Sequence, residues 1–295
     1  MARPQFPRIH STDSALGAFV PKRTRRSGAA ALLALAVALL GACANSPPSS
    51  SGALSAEQVV AIVASPDRSE ADRVNDARRM PTQMLLFIGV HPGMSAMDLS
   101  AAGGYTTELV ARAVGPTGRV YAQNAPRKAG PGPAQPEGMA APAPAGPRPP
   151  PSNLAARIAK LPNLHIIPVA QPFEQPLPAD VPPGSLDLVT LMFNYHDLGH
   201  LGVDRDSMNR AVFAALKPGG MFVIADHSGR VGTGISESGT LHRIEESFLQ
   251  AEVEKAGFRL ASEGFFLRNP MDPRDRNTPE PPQPKDEFVL KFVKP

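Results

Sequence analysis

The 295-residue sequence contains no tryptophan, three tyrosines and a single cysteine, Cys43. A lone cysteine excludes an internal disulfide framework. So few aromatic residues also leave no base-stacking platform of the kind that binds single-stranded nucleic acid. The longest apolar run, residues 29–40, is shorter than the roughly 20 residues with which a helix spans a bilayer. That run therefore needs an explanation other than an ordinary transmembrane helix.

An export signal is the simplest explanation of the apolar run. A positive stretch, Lys22 to Arg26, precedes it, as in a secretory signal peptide. The run leads into Leu40-Gly41-Ala42-Cys43, which resembles the lipobox of bacterial lipoproteins. The resemblance implies that residues 1–42 are a lipoprotein signal peptide, cleaved before a lipidated Cys43. It also implies an exported protein anchored in the cell envelope and facing the periplasm, with Ala44 favouring the outer membrane. An uncleaved membrane anchor is the alternative.

The basic character of the chain lies in its first 42 residues. The whole chain has a net charge of +3 and a pI of about 9.2, but residues 1–42 hold six basic side chains against one acidic side chain. Subtracting their charge of +5 leaves −2 for residues 43–295. We therefore expect no basic surface that binds nucleic acid.

Residues 43–295 are long enough for one sizeable α/β domain. Residues 43–54 are mostly small or polar, with prolines and serines, which predicts a flexible tether before a domain at 55–295. Ser55 and Gln58 have the spacing of a capping box, which predicts a helix start. Residues 126–151 hold ten prolines and four glycines. We therefore predict a disordered, Pro/Ala-rich insertion at 125–151 inside the domain.

Short apolar runs alternate with amphipathic ones, a pattern typical of a parallel sheet with helices on both faces. Strands are predicted at 95–99, 119–123, 165–169, 186–193 and 221–225. Helices are predicted at 105–114, 151–159, 205–216 and 241–256. Residues 217–220 predict a turn, and 287–293 predict a final edge strand.

Five segments carry a family resemblance through their order and spacing. They are DLSAAGGYTTEL from Asp98, VYAQN from Val120, DLVTLMFNYHDL from Asp187, LKPGGMFVIADH from Leu216 and LRNP from Leu267. Together they resemble class I S-adenosylmethionine-dependent methyltransferases, and more narrowly a bacterial, often exported group of unassigned substrate. The resemblance implies an α/β fold with a Rossmann-like seven-stranded sheet, whose late strands, 265–267 and 287–293, form an antiparallel hairpin. It also implies S-adenosylmethionine as cofactor and a methyl acceptor, which we expect to be a small molecule.

The turn after the first strand departs from the family pattern of acid-x-Gly-x-Gly-x-Gly. Asp98 is followed by Ser100 and Ala102 at two glycine positions, and then by Gly103 and Gly104. Ser and Ala are the smallest replacements for glycine, so a ligand can still approach if the backbone there avoids positive φ. Asp98 is then expected to hold the methionine amino group through water or backbone. The alternative is an ordinary strand-turn-helix in which Asp98 is a cap.

The second strand also departs from the family, which usually ends it in an acid that accepts hydrogen bonds from the ribose hydroxyls. Here it ends in Gln123 and Asn124. Neutral hydrogen bonds are weaker than charged ones, so these amides predict an affinity lower by roughly tenfold. Gln171, after the third strand, lies where the family contacts adenine. These residues could equally be plain strand-end polar residues.

The segment from Asn194 to His200 follows the fourth strand, at the edge where open α/β sheets bind ligands. His196 is predicted to be the general base, with Asp197 orienting it. Asp226 and His227 follow the next strand and are expected in the same cleft. Asn194 is a further candidate for cofactor contact, and candidates for substrate contact are Tyr195, His242, Arg268 and Asn269. For each histidine, a structural hydrogen bond is the alternative.

Three other functions are alternatives to methyl transfer. His196 and His200 have the His-acid-x-x-His spacing of a metallohydrolase, but Gly199 and the preceding strand argue against a helix there, so no metal is expected. A serine hydrolase is poorer still, because residues 234–238 lack the final glycine of a nucleophile elbow. The third is a catalytically inactive methyltransferase-like binding module, since the cofactor is made in the cytoplasm and the protein is predicted to be exported.

Overall fold

The computed structural model describes residues 52–126, 154–279 and 282–295. The predicted signal peptide, Cys43, most of the tether and nearly all of the proline-rich insertion lie outside these ranges. Among the residues that the structure describes, none belongs to a helix with both the length and the apolar character to cross a bilayer.

Three helices precede the sheet, and we call them the N-terminal helices: α1 (Ala56–Val63), α2 (Glu70–Arg79) and α3 (Pro81–Ile88). The predicted capping box at Ser55 and Gln58 is confirmed. Met80, with a left-handed φ of 45°, separates α2 from α3, and Pro81 occupies the first turn of α3, where its missing N–H is tolerated. The chain therefore turns sharply between two helices.

Seven strands and five more helices follow in an alternating order. They are β1 (Ser95–Leu99), α4 (Tyr105–Val114), β2 (Arg119–Asn124), α5 (Leu154–Ala159), β3 (Ile166–Ala170), β4 (Leu186–Met192), α6 (Asp197–His200), α7 (Arg205–Ala215), β5 (Leu216–His227), α8 (Glu246–Lys255), β6 (Arg259–Gly264) and β7 (Glu287–Val293). Strands β1 and β4 are almost wholly buried, as expected for parallel strands covered on both faces.

The strand order in the sheet is β3-β2-β1-β4-β5-β7-β6. The first five strands in this order run parallel, and β7 pairs antiparallel with both β5 and β6. This is the Rossmann-like sheet of class I methyltransferases, so the predicted fold class is confirmed. The chain reverses its direction of winding between β1 and β4, which places a ligand crevice at their carboxyl ends.

Two hydrophobic cores lie on opposite faces of the sheet. One contains α1, α3 and α4 residues such as Val59, Ile88 and Val110. The other contains α7 and α8 residues such as Met208 and Leu249. Helices thus cover the sheet on both faces, and the buried strands position the loops at its carboxyl edge.

Three local predictions were wrong. The penultimate strand is β6, Arg259–Gly264, and not 265–267. Its burial alternates, as on an edge strand, while Phe266 leaves the sheet and packs edge-on against Phe87. Helix α8 begins at Glu246 instead of 241, and residues 217–220 belong to β5, with an irregular register opposite β4.

Candidate functional site

A cavity of about 250 Å³ opens at the carboxyl ends of β1 and β4. Its walls come from three places: α2, the turn between β1 and α4, and the end of β4. The lining residues are Asp72, Asn75, Arg79, Asp98, Ser100, Ala101, Ala102, Gly103, Tyr105, Thr106, Met192, Phe193 and Asn194. The structure thus brings five predicted cofactor residues together, namely Asp98, Ser100, Ala102, Gly103 and Asn194.

The turn between β1 and α4 keeps the shape of a glycine-rich turn without the glycines. Ser100 has φ of 57° and Ala102 has φ of 47°, both in the left-handed region, and Gly104 has φ of 84°. The condition set for close approach of a ligand, that the backbone at Ser100 and Ala102 avoids positive φ, is therefore not met. A left-handed conformation costs a side-chain-bearing residue roughly 1–2 kcal/mol, so other contacts must hold this turn.

Amides at the end of β2 supply those contacts. Gln123 Oε1 accepts the Ser100 N–H at 3.0 Å, and Asn124 Oδ1 accepts the Ala102 N–H at 2.8 Å. The Gln123 Nε2 donates to the carbonyl of Gln171 at 2.6 Å, and Gln123 is fully buried. Gln123, Asn124 and Gln171 do not line the cavity. Their observed contacts brace the turn, and cofactor contact by these three residues stays a prediction.

Replacing Ala102 with glycine is expected to raise the free energy of unfolding by about 0.5–1 kcal/mol. Glycine adopts a left-handed conformation without the energetic cost that alanine has there. This gain is larger than the stability lost because glycine gives the unfolded chain more conformational entropy. The Ala102 side chain is exposed, so little packing is lost. Urea unfolding measures the change. Ala101→Gly is the matched control, because Ala101 is buried and has no positive φ, and we expect that variant to be less stable than the wild type. Equal losses in both variants would contradict the prediction.

Asp98 lies at the base of the cavity and is almost fully buried. Its two oxygens accept hydrogen bonds from Thr107 Oγ1 at 2.6 Å and Thr190 Oγ1 at 2.8 Å, and the backbone of Thr107, in the first turn of α4, also hydrogen-bonds to it. Burial raises the pKa of Asp98 to about 6, although both hydrogen bonds and the charge of Arg79 act in the opposite direction. A buried carboxylate of this kind favours a ligand with a positive group.

Arg79, at the end of α2, was not predicted from the sequence. Its guanidinium lies 4.9 Å from the ring centres of both Tyr105 and Phe193. Its Nε is buried without a hydrogen-bond partner, and among the described residues no carboxylate forms an ion pair with it. Burial, together with the charge of Arg78, lowers the pKa of Arg79, yet an arginine stays protonated in proteins. The cavity is therefore lined by a half-buried cation that forms no ion pair with any described residue.

Asn194 connects this cavity to a group of titratable side chains beyond it. Its Oδ1 accepts from Ser100 Oγ at 2.6 Å, and its Nδ2 donates to Asp197 Oδ2 at 2.9 Å. Asp197 in turn contacts His196 and His242. A continuous hydrogen-bonded path thus runs from the turn after β1 to two histidines.

His196 is held between two carboxylates. Its backbone N–H donates to Asp226 Oδ2 at 2.7 Å, and its Nδ1 lies 2.5 Å from Asp226 Oδ1. Its Nε2 lies 3.0 Å from Asp197 Oδ1. Burial opposes the charged ring, but the hydrogen bonds to Asp197 and Asp226 outweigh it and raise the pKa of His196 to about 9. Without another cation His196 is therefore charged at neutral pH, and a general base would first have to lose that proton.

The other members of this group differ in protonation. Burial would raise the pKa of Asp197, but the hydrogen bond from His196 outweighs it and lowers that pKa to about 2. Burial lowers the pKa of His227 to about 3, against the attraction of Asp226, so its ring is neutral. The His227 ring packs 5.2 Å from that of His196, centre to centre. The structure thus does place His196, Asp197, Asp226 and His227 together.

None of the four predicted substrate residues lines the cavity. Tyr195 is fully buried in the core, where its hydroxyl donates to Glu252 and accepts from Asn209. Arg268 and Asn269 line a separate groove beside β7, and Arg268 already pairs with Glu246 at 2.5 Å. His242, in contrast, contacts Asp197.

Comparison with known proteins finds no matching protein-family profile and no matching curated protein. Solved structures of similar fold include a SAM-dependent methyltransferase from Aquifex aeolicus, with 16% identity, a TM-score of 0.49, and coverage of 77% of this chain and 97% of that chain. An S-adenosylmethionine-dependent methyltransferase from Mesorhizobium loti has 14% identity and a TM-score of 0.48, and the match covers 75% of this chain and 99% of that chain. Fibrillarin from Aeropyrum pernix, with natively bound S-adenosylmethionine, has 17% identity, a TM-score of 0.41, and coverage of 68% and 67%. At these values the likeness concerns the fold, which the strand order defines independently.

Proposed function

We propose that this protein binds S-adenosylmethionine in the cavity and transfers its methyl group to a small-molecule acceptor. One observation carries the proposal: Arg79, a cation without an ion pair among the described residues, and Asp98, a buried carboxylate, line the same cavity at the switch point of the sheet. Such a pair of charges suits the zwitterionic amino-acid end of the cofactor. Arg79 would bind its carboxylate, and Asp98 would attract its ammonium group.

The fit is less complete at the nucleoside end. The described residues at the end of β2 include no carboxylate, and the two amides there already hold the turn. The cavity is also somewhat smaller than the roughly 300–1,000 Å³ of most small-molecule pockets. The nucleoside would therefore be held by neutral groups, at an affinity about tenfold below that of a site with a ribose-binding acid.

When bound, the cofactor supplies an electrophilic methyl group. The residues of this chain would orient and shield it: Tyr105 and Phe193 flank Arg79 and limit its contact with water. Asn194 would separate the cofactor from the acceptor side, where Asp197 and His196 lie. In the metal-free protein His196 is our proposed general base once it has lost its ring proton, with Asp226 fixing its ring and His227 beside it.

A catalytically inactive binding module is the second candidate. It is favoured by the same amides, because Gln123 and Asn124 occupy the position of the missing acid and are committed to the turn.

Export and lipid anchoring through Cys43 are part of the main proposal, supported by the order of residues 22–43. Mass spectrometry of the mature N-terminus in a membrane fraction tests that part.

Titration calorimetry of S-adenosylmethionine and S-adenosylhomocysteine into residues 53–295 tests the proposed function. We expect one site with micromolar affinity, about −8 kcal/mol. Adenosine alone is the control ligand, since it lacks the amino-acid end and should bind far more weakly. A folded fragment that binds neither cofactor form would reject methyl transfer. Tight cofactor binding without turnover of any acceptor in a screen would favour the binding module.

A further inference from the structure

A second constellation lies beside the cavity and is not explained by cofactor binding. We call it the histidine cluster: His196, Asp197, His200 and His242. Asp197 Oδ1 lies 3.0 Å from His196 Nε2 and 2.8 Å from His242 Nδ1. One ligand atom from each of these three residues lies within 4.8 Å of the others. Two imidazole nitrogens and one carboxylate oxygen therefore converge on one point.

His196 is oriented in the way that metal-binding histidines are. Its Nδ1 faces the fully buried Asp226, whose other oxygen accepts the His196 backbone N–H. A carboxylate that accepts a hydrogen bond from one ring N–H fixes the ring and leaves the other nitrogen as a ligand. Here Nε2 is that second nitrogen, and it points at Asp197.

His242 is also held in place, by an unusual backbone. Its φ is 51°, in the left-handed region, and its N–H donates to the carbonyl of Glu237 at 3.1 Å. Strained residues of this kind concentrate at ligand and active sites. His200 adds a further imidazole, with its Nδ1 3.8 Å from Asp197 Oδ1 and its ring 5.6 Å from that of His242, centre to centre.

The charges of the cluster also point to a cation. Asp197 and Asp226 form ion pairs only with histidines among the described residues, and with no lysine or arginine. Imidazoles are thus the only cationic partners available to these two carboxylates among the described residues, and a divalent ion at His196 Nε2 would add positive charge between them.

We propose that His196, Asp197 and His242 bind one divalent transition-metal ion, of which zinc is the best match. Two imidazoles and one carboxylate make a three-ligand site of the catalytic type, which keeps a coordination position open. Asp197 is about one-quarter exposed and His242 more than one-third, so an ion can enter from solvent. The inference goes beyond the proposed function and contradicts our sequence expectation of no metal. In the metal-bound protein His196 acts as a ligand and not as a general base.

The test is titration calorimetry of zinc chloride into the full chain, after treatment with EDTA and dialysis. We expect one zinc ion per chain with micromolar or tighter affinity, and a blue cobalt(II) derivative with the absorption of a tetrahedral site. His242→Asn is the test variant, because asparagine tolerates the left-handed backbone. It should bind zinc at least tenfold more weakly. His165→Ala is the matched control, since His165 is exposed and distant from the cluster in sequence, and it should bind as the wild type does.

Each outcome separates this inference from the proposed function. Zinc binding of equal strength in wild type and His242→Asn would place the ion elsewhere and overturn the proposal, as would a stoichiometry near zero. Asp197→Asn gives a second check, should His242→Asn fail to fold by circular dichroism. Cofactor titrations performed with and without zinc are independent measurements, so either proposal can fail while the other stands.

Discussion

Replacing Arg157 with methionine is expected to lower the free energy of unfolding by about 3–5 kcal/mol. The Arg157 guanidinium bonds to Asp72 of α2 and Glu108 of α4, and all three side chains are more than 90% buried. Removing the arginine leaves the buried carboxylate of Asp72 without its cation, whereas Glu108 keeps its ion pair with Arg112. Its Nε also donates to the carbonyl of Gly103 at 2.6 Å, so the turn of the cavity loses a contact as well. Urea unfolding followed by circular dichroism measures the loss.

Lys255→Met is the control for this prediction. Lys255 pairs with Asp206 at 2.5 Å, but the two side chains are 68% and 37% exposed. Exposed pairs contribute about 0–1 kcal/mol, so this variant should be close to the wild type. If Arg157→Met lost no more stability than Lys255→Met, the network around Arg157 would not stabilise the attachment of α2 as we describe.

Replacing Arg79 with methionine is expected to weaken the binding of S-adenosylmethionine by roughly 10- to 100-fold. The side chain would lose a charge-assisted hydrogen bond, worth about 1.5–3 kcal/mol, while methionine keeps much of the apolar contact with Tyr105 and Phe193. Because Arg79 has no ion pair in the described protein, stability should not fall. Calorimetry gives the affinity, and thermal unfolding checks the fold.

Arg78→Met is the matched control for Arg79→Met. Arg78 is its sequence neighbour and also lies over Phe193, at 4.8 Å, but it pairs with Glu287 and does not line the cavity. We expect it to retain cofactor affinity. Gly104 is a poorer position for such a test, because a Cβ there would lie 2.8 Å from Leu154 Cδ1 and 3.0 Å from Arg157 Cδ. Equal weakening by Arg78→Met and Arg79→Met would show that general charge, and not a contact by Arg79, attracts the ligand.

Much of the sheet could be predicted from local sequence. The bounds of β1, α4 and β7 are those that hydrophobic pattern and turn residues indicate, because each element is bounded by a clear change of pattern. The hairpin partner of β7 could not be found in this way. Arg259–Gly264 has the alternating, half-exposed pattern of an edge strand, which is weaker than the apolar run that follows it.

The residues of the cavity can likewise be separated into those that local sequence predicts and those that it does not. Asp98, Ser100 and Asn194 could be predicted because they follow buried strands, whose carboxyl ends meet at one edge of the sheet. Arg79 could not, since it lies on a polar helix outside the sheet and reaches the cavity only through tertiary packing. The left-handed conformations of Ser100 and Ala102 could not be predicted from the sequence for a similar reason. They depend on amides more than 20 residues away in sequence.

Helix α2 contributes Asp72, Asn75 and Arg79 to a cavity whose remaining walls belong to the sheet and its loops. Attachment of α2 and occupancy of the cavity are therefore thermodynamically linked, and the linkage is reciprocal. A ligand that bridges the two parts must shift the equilibrium against the detachment of α2. Any contact that holds α2 in place, such as that of Arg157 with Asp72, must equally raise the affinity for the ligand. In this protein a residue that never touches the ligand can thus set how tightly the ligand is held.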